Sequence, residues 1–353
     1  MKIAILNDTH CGIRNSSEIF LANAEDFYSK IFFPECDKRD IKQILHLGDY
    51  YDHRKFINFK ALNHNRRVFL DQVRKRGMSM DIIPGNHDTY FKNTNELNSL
   101  KECLGHYMNE VHIIMEPTVM KYDSLKIGLV PWICNDNYDQ CMTFIKECQA
   151  DWIGAHLELT GFEMMRGITN VHGMNPKIFK RFEMVLSGHF HTSSRKDNIW
   201  YLGNPMEFFW NDAHDPKYFH ILDTETREIE RIRNPHTIFE KVLYDDEKND
   251  YSTFDVTKFN KKFVKVIVIN KTDPFTFDRF IDNIQNQEIY ELKIAENFNE
   301  FMGTNVEEEN MNFEDTAEIV DSYIEAVDTD LDKNKIKVQM RELMTEAQAT
   351  EIA

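Results

Sequence analysis

The chain has no CxxC pair among its six cysteines and no disulfide-like spacing. It also has no apolar run near the roughly 20 residues that a membrane span requires. The opening Met1-Lys2-Ile3-Ala4-Ile5-Leu6 reaches polar Asn7 too soon for a secretory leader. These absences argue against a disulfide-stapled or membrane-spanning protein and lead us to expect a reducing compartment, the cytoplasm. Positive charge is scarce as well. A total of 42 Lys and Arg against 59 Asp and Glu leaves a net charge of −17, the wrong sign for a nucleic-acid binder. The deficit is unevenly placed, however. Residues 301–353 hold 14 acidic and 4 basic side chains, −10 of the total, whereas Arg54 to Arg76 set eight cations against Asp71 alone, a local +7. At 353 residues with 42% hydrophobic content, the chain can bury one large core plus a smaller module, so a single small domain is excluded.

Five times an apolar, strand-like run hands over to residues that ligate metals. Ile82-Ile83-Pro84 stops at Gly85 and gives Asn86-His87-Asp88, an amide, an imidazole and a carboxylate in sequence. Lys2 to Leu6 precedes Asp8-Thr9-His10, and Gln43 to Leu47 precedes Gly48-Asp49-Tyr50-Tyr51-Asp52. Trp152 to Ala155 leads into His156, and Met184 to Gly188 leads into His189-Phe190-His191. One such tetrapeptide could be an ordinary polar turn. Five of them are more than turns, because loops at the carboxyl ends of parallel strands converge on one crevice and can deliver their ligands to a single pocket.

Between the motifs, strand signals alternate with helix-length stretches at Ser17 to Phe33 and Phe59 to Arg76, then continue from Val111 to Ile232 around one further helix at Tyr138 to Cys148. The count fits an α/β protein built as a two-sheet sandwich flanked by helices. Past Asn234-Pro235 the pattern changes to strand (Phe263 to Ile269), amphipathic helix (Pro274 to Asn286) and strand (Glu288 to Ala295), a βαβ-like module without ligand motifs. Val306 to Asn310 reads as an acidic, solvated linker. Beyond it, Phe313, Ala317, Val320, Ile324 and Val327, then Ile336, Met340, Leu343 and Ala347, recur at helical spacing and predict two short amphipathic helices.

Taken together, Asp8-x-His10, Gly48-Asp49, Gly85-Asn86-His87-Asp88, His156 and Gly188-His189-x-His191 resemble the calcineurin-like metallophosphoesterases, most of all the SbcD-type recombination nucleases and their short phage forms. By motif the resemblance covers the first two thirds of the chain; beyond that it rests on domain order. It implies a nuclease domain over 1–235, a capping domain over 236–300, an acidic linker over 301–312 and a partner-binding helix pair over 313–353. It further implies two metal ions, the first held by Asp8, His10, Asp49 and His191 and the second by Asp49, Asn86, His156 and His189, with Asp49 shared. The mixed imidazole, carboxylate and amide set suits manganese better than magnesium. His87 would meet the scissile phosphate or protonate the leaving oxygen, with Asp52 or Asp88 orienting its ring.

The expected partners are DNA and an SMC-like ABC ATPase with a long coiled coil, around a nuclease homodimer. DNA contact is expected at Arg54, Lys55, Lys60, Arg66 and Arg67, which follow the Asp49 motif where a phosphate backbone would arrive. The ATPase would engage Val320, Ile324, Met340 and Leu343. Two other readings compete, a phosphatase on the same scaffold and a non-catalytic DNA-end scaffold. Gly48-Asp49-Tyr50-Tyr51-Asp52-His53-Arg54 resembles the protein phosphatase pattern GDxxDRG, but its Arg is shifted and the following Gly is absent.

Overall fold

In the first strand, β1 (Lys2–Leu6), Ile3 and Ile5 turn to one side while Ala4 and Leu6 turn to the other, and all four are buried. Strands with apolar residues on both faces must be covered on both, which is the demand of a largely parallel sheet. The same grammar runs through β2 (Gln43–Leu47) and β3 (Ser79–Ile83), and β4 (Val111–Ile113), β5 (Thr118–Tyr122), β6 (Leu125–Val130) and β7 (Trp152–His156) follow. A small hairpin, β8 (Glu163–Met165) and β9 (Ile168–Thr169), precedes β10 (Met184–Gly188), β11 (Ser194–Lys196), β12 (Ile199–Tyr201), β13 (Lys217–Asp223) and β14 (Ile229–Asn234). The computed structural model describes residues 1–165, 168–171 and 173–295, together with Lys333, Lys335, Ile336 and Met340.

Two six-stranded sheets result, in the orders β14-β13-β1-β2-β3-β4 and β11-β12-β10-β7-β6-β5. Strands β1 to β4 are mutually parallel, as are β6, β7, β10 and β12, and the antiparallel members lie toward the edges. The sheets pack face to face through Ile3, Ile5, Leu45, Leu47 and Ile83 on one and Ile127, Leu129, Trp152 and Leu186 on the other. The outer face of the first sheet is covered by the helical stretches from Glu18 to Lys38 and Phe59 to Lys75, that of the second by the helix Tyr138–Glu147. Each of the two long helices predicted from sequence contains one π-helical turn, at Tyr28–Phe32 and Arg66–Leu70. These turns bring Phe69 within 4.7 Å of the Tyr28 ring.

The consequence for function lies in where the strands end. β1, β2 and β3 of one sheet and β7 and β10 of the other finish at the same rim, so Asp8, Asp49, Asn86, His156 and His189 leave five strand ends together.

Residues 239–295 form a three-stranded parallel sheet, β15 (Phe239–Asp245), β16 (Phe263–Asn270) and β17 (Glu291–Ala295), crossed by the helix Pro274–Gln285. Asp273 caps that helix by accepting the Phe275 N–H at 3.0 Å, and Pro274 starts it. Phe277, Phe280, Ile281 and Ile284 then seal a separate core against Val264 and Val266. β15 carries no clear strand signal in the sequence, because Glu240, Lys241 and an exposed Leu243 blur its alternation. Met1–Phe298 forms one compact unit, and Phe239 and Phe263 join the main core beside Phe20 and Trp210. Asn299–Ala353 clusters as a second unit. Of that segment Lys333, Lys335, Ile336 and Met340 are described and are helical; the expected linker and the anchors Val320, Ile324 and Leu343 lie outside the described residues.

Candidate metal centre

The rim is assembled by backbone bonds that extend the β1–β2 pairing into the loops. Asp8 N–H donates to Gly48 O at 2.9 Å, His10 N–H to Asp49 O at 3.1 Å and Cys11 N–H to Tyr50 O at 2.8 Å. The loops approach so closely that a Cβ on Gly85 would sit 2.1 Å from Asp49 Oδ1, and one on Gly48 2.5 Å from His156 Nδ1. Only glycine fits at either position. Asp8, His10, Asp49 and His189 all hold positive φ, at 47°, 42°, 54° and 93°. Such backbone costs of order 1–3 kcal/mol per residue and persists where the surroundings over-determine it.

Three groups of potential donors result among the described residues, of which one, His10, Asp52 and His87, lies beside the centre and the other two make it up. Asp8, His10 and His191 form one, with His10 Nε2 and His191 Nε2 3.1 Å apart. Asp49, His156 and His189 form the other, joined by Asn86, whose Oδ1 lies 3.0 Å from both His156 Nε2 and His189 Nδ1. Asp49 stands between them. Its Oδ2 is 3.4 Å from His156 Nε2 and 3.7 Å from His10 Nε2, while its Oδ1 accepts the His87 N–H at 2.8 Å.

The hydrogen bonding behind these side chains fixes which atoms face inward. His156 Nδ1–H donates to Leu47 O at 2.8 Å, which leaves the Nε2 lone pair aimed at the Asn86 and Asp49 oxygens. His10 Nδ1 faces Asp52 Oδ1 at 3.3 Å, which turns its Nε2 to the centre. Asp8 is held by Asn7 Nδ2 at 2.5 Å and by the His189 N–H at 3.0 Å to each oxygen. Buried acceptors can face one another only where a proton on one ring or a metal ion lies between them. A divalent cation is the group this donor set fits.

Electrostatics point the same way. Burial alone would lower the His10 and His156 pKa values, yet the Asp52 carboxylate facing its Nδ1 and the charges of Asp49 and Asp8 push His10 up to about 9, and Asp49 and Asp8 do the same for His156. Burial and the His156 charge push His189 down to about 3, and burial with the His10 charge lowers His191 well below its ordinary value. Asp49 is drawn well below the carboxylate range, since His156 and His87 outweigh its burial. The pocket therefore gathers positive charge on its own residues, the condition under which a cation displaces protons.

His87 sits beside this centre, its ring 4.9 Å from that of His10 and nearly perpendicular to it. Its Nδ1–H donates at 2.6 Å to the main-chain carbonyl of Asp52, so a backbone oxygen, not a carboxylate, orients the ring. The Asp52 side chain serves His10 instead. Asp88, fully buried, ties the loops together by accepting from Tyr50 N at 3.1 Å, Tyr51 N at 3.0 Å and Gly85 N at 2.9 Å, and burial pushes it up to about 6.

The basic segment behaves differently. Lys60 pairs with Glu18, Arg67 makes a two-pronged bond to Glu25 (2.8 and 2.6 Å), Arg74 meets Glu110 and Arg76 meets Asp37. Arg54 braces the His87 loop through Thr89 O at 3.0 Å. Lys55 and Arg66 are exposed and form no ion pair with the described residues. Sequence reasoning missed the support around His191. Phe209 stacks on its ring at 6.0 Å, Arg14 lies over Phe209 at 4.8 Å, and Lys217 Nζ reaches its carbonyl at 3.3 Å. No motif marks these residues, which come from distant parts of the chain.

A two-sheet α/β sandwich with Asp, Asn and His ligands converging at one rim defines a metal-dependent phosphoesterase, and the chain belongs to the calcineurin-like phosphoesterase family, whose profile matches residues 1–239. Within that family it is similar to exonuclease subunit 1 of Enterobacteria phage T4, with 32% identity over 292 residues that cover 77% of this chain and 85% of that protein. Among solved structures it is similar to an archaeal phosphodiesterase (16% identity, 66% of this chain and 100% of the other, TM-score 0.34). It is also similar to the purple acid phosphatase PPD1 of yellow lupin, Lupinus luteus (10% identity, 65% of this chain and 52% of the other, TM-score 0.38). Family membership rests on the sequence matches. The family and the donor clusters together imply divalent metal ions.

Proposed function

We propose that this protein is a manganese-dependent DNA nuclease, exonuclease and endonuclease, that hydrolyses phosphodiester bonds with two ions as the nuclease subunit of an SbcCD-like complex in DNA end processing, replication, recombination and repair. The observation that carries the reading is the position of Asp49, with one carboxylate oxygen between the His10 and His156 nitrogens. Asp8, His10, Asp49 and His191 would hold one ion, and Asp49, Asn86, His156 and His189 the other. When bound, a pair of ions supplies Lewis-acid polarisation of a phosphate oxygen and lowers the pKa of water. The protein's own residues do the rest. Asn7 and the His189 N–H keep Asp8 turned inward, and the Leu47 carbonyl fixes the His156 tautomer. Because His87 Nδ1–H is committed to Asp52 O, its Nε2 is the atom left to meet a scissile phosphate or to give a proton to the leaving oxygen.

The name of the phage T4 relative, an exonuclease subunit, supports both the substrate class and assembly with a partner. We take that partner to be an SMC-like ATPase docking on the 313–353 helices around a nuclease homodimer, with the 236–300 module capping the site. Degradation of a linear duplex, with manganese or magnesium and with or without the ATPase, tests the reading. We expect manganese-dependent cleavage that the ATPase stimulates. A protein that hydrolyses phosphomonoesters but leaves every DNA substrate intact would be a phosphatase on this scaffold. Truncation after Gly303 should leave a nuclease that no longer co-purifies with the ATPase.

A further inference from the structure

Lys217, the first residue of β13, is 3% exposed and sits among three oxygen partners. Its Nζ donates to Asp212 Oδ1 at 2.5 Å, to Asp215 Oδ2 at 2.8 Å and to the main-chain carbonyl of His191 at 3.3 Å. Asp212 has a second task, since its Oδ2 accepts the N–H groups of Phe208 at 2.7 Å and Phe209 at 2.9 Å. Those two rings close on the metal centre, with Phe208 5.6 Å from His10 and Phe209 stacked on His191.

A buried cluster of this kind is a poor device for stability. Desolvating the ions costs several kcal/mol each, and a well-packed apolar trio of similar volume is often at least as stable. What the cluster provides is direction. The His191 carbonyl also accepts the Asn204 N–H at 3.2 Å, and a Cβ on Gly203 would come within 2.9 Å of it, so this carbonyl is approached from several sides. Fixing the carbonyl on one side and the ring face on the other leaves the imidazole little freedom. Its Nε2 is thereby held 3.1 Å from His10 Nε2.

We propose that Lys217 is a positioning residue for one metal ion, holding His191 through its carbonyl and, by way of Asp212, through the Phe208–Phe209 turn packed on its ring. The inference rests on reading His191 as a ligand. It extends the site beyond the residues in contact with metal, and it explains why a lysine is buried on the strand that joins β1 rather than left at the surface. Outer partners of this kind change metal affinity by about 10- to 100-fold when removed.

The test is calorimetric titration of Mn²⁺ alone into the metal-free full-length protein, its His191→Ala variant and a Lys217→Met, Asp212→Asn double variant. The double variant removes the Nζ contact without leaving Asp212 as an unpaired buried charge. Melting of the metal-free proteins is followed in parallel, and the ion lost in His191→Ala identifies the site. We expect the double variant to bind that ion about 10- to 100-fold more weakly and the other ion as the parent does. Wild-type affinity for both ions would overturn the positioning role. Equal weakening of both, the mark of a general loss of structure, would overturn it too. If His191→Ala itself keeps both ions at parental affinity, the ligand reading beneath the inference fails instead.

Discussion

The loops around Asp49 and the helical stretch from Phe59 to Lys75 are both rich in ionisable groups, and they treat them in opposite ways. On the helix, much of the charge is settled within the protein: Arg67 has Glu25, Arg74 has Glu110 and Lys60 has Glu18, though Arg66 has no ion-pair partner among the described residues. In the loops it is left open. His10, His156, His191, Asn86 and Asp49 turn their ligating atoms toward one another, and protons held on His10 and His156 stand where a cation would displace them. A run of like charge in a sequence is thus a weaker sign of a binding site than a few residues whose lone pairs converge. Exposed ion pairs are screened by solvent and contribute little, whereas polar groups buried without a partner are costly.

The contrast can be broken most severely at Gly85. Gly85→Ala places a methyl group against the Asp49 carboxylate, at 2.1 Å from Oδ1 before any relaxation. We expect it to abolish bound metal and hydrolysis together, measured by metal analysis and cleavage of a labelled duplex. A fully loaded, active Gly85→Ala protein would mean that the loops do not need their close approach. His87→Ser should separate chemistry from binding, keeping both ions and DNA affinity while cleavage falls by about 10²- to 10⁴-fold. Normal cleavage in that variant would reduce His87 to a turn residue.

The helix offers smaller effects. Arg66→Glu, at a cation without an ion-pair partner among the described residues, should weaken DNA binding for every sequence and lower the slope of log affinity against log salt by about 0.9. An unchanged slope would return Arg66 to the solvated face. Arg67→Glu should act chiefly on stability, by about 0.2–1 kcal/mol in denaturant melts, since its guanidinium is already committed to Glu25. A full unit of salt slope lost from Arg67→Glu would show that DNA displaces Glu25.

The strands that end in ligand motifs were legible because each is a short apolar run cut off by Gly, Asp, Asn or His, and parallel strand ends must meet at one rim. Asn86, His156 and His189 are brought together from three such runs. What stayed hidden has no residue-type signature. The group that orients His87 is a backbone carbonyl, which any residue at position 52 would offer. Lys217 meets His191 across 26 residues, and Asn7 reaches Gly203 across 196. β15 has no clear signal because its outward side chains mix charge with an exposed leucine, and the π turns at Tyr28–Phe32 and Arg66–Leu70 carry Tyr28 and Phe69, which meet in a tertiary contact that no local pattern announces. The paired state of Lys60 and Arg67 was hidden for the same reason, since Glu18 and Glu25 lie on a different helix.

The proposed two-ion centre depends on one carboxylate lying between two clusters of imidazoles. Counting metal ions by native mass spectrometry in the parent, Asp49→Ala and His10→Ala proteins tests it directly. The parent should carry two ions, His10→Ala should keep one, and Asp49→Ala should lose both along with hydrolysis. An Asp49→Ala protein that still binds two ions would contradict the bridging role and, with it, the two-ion centre.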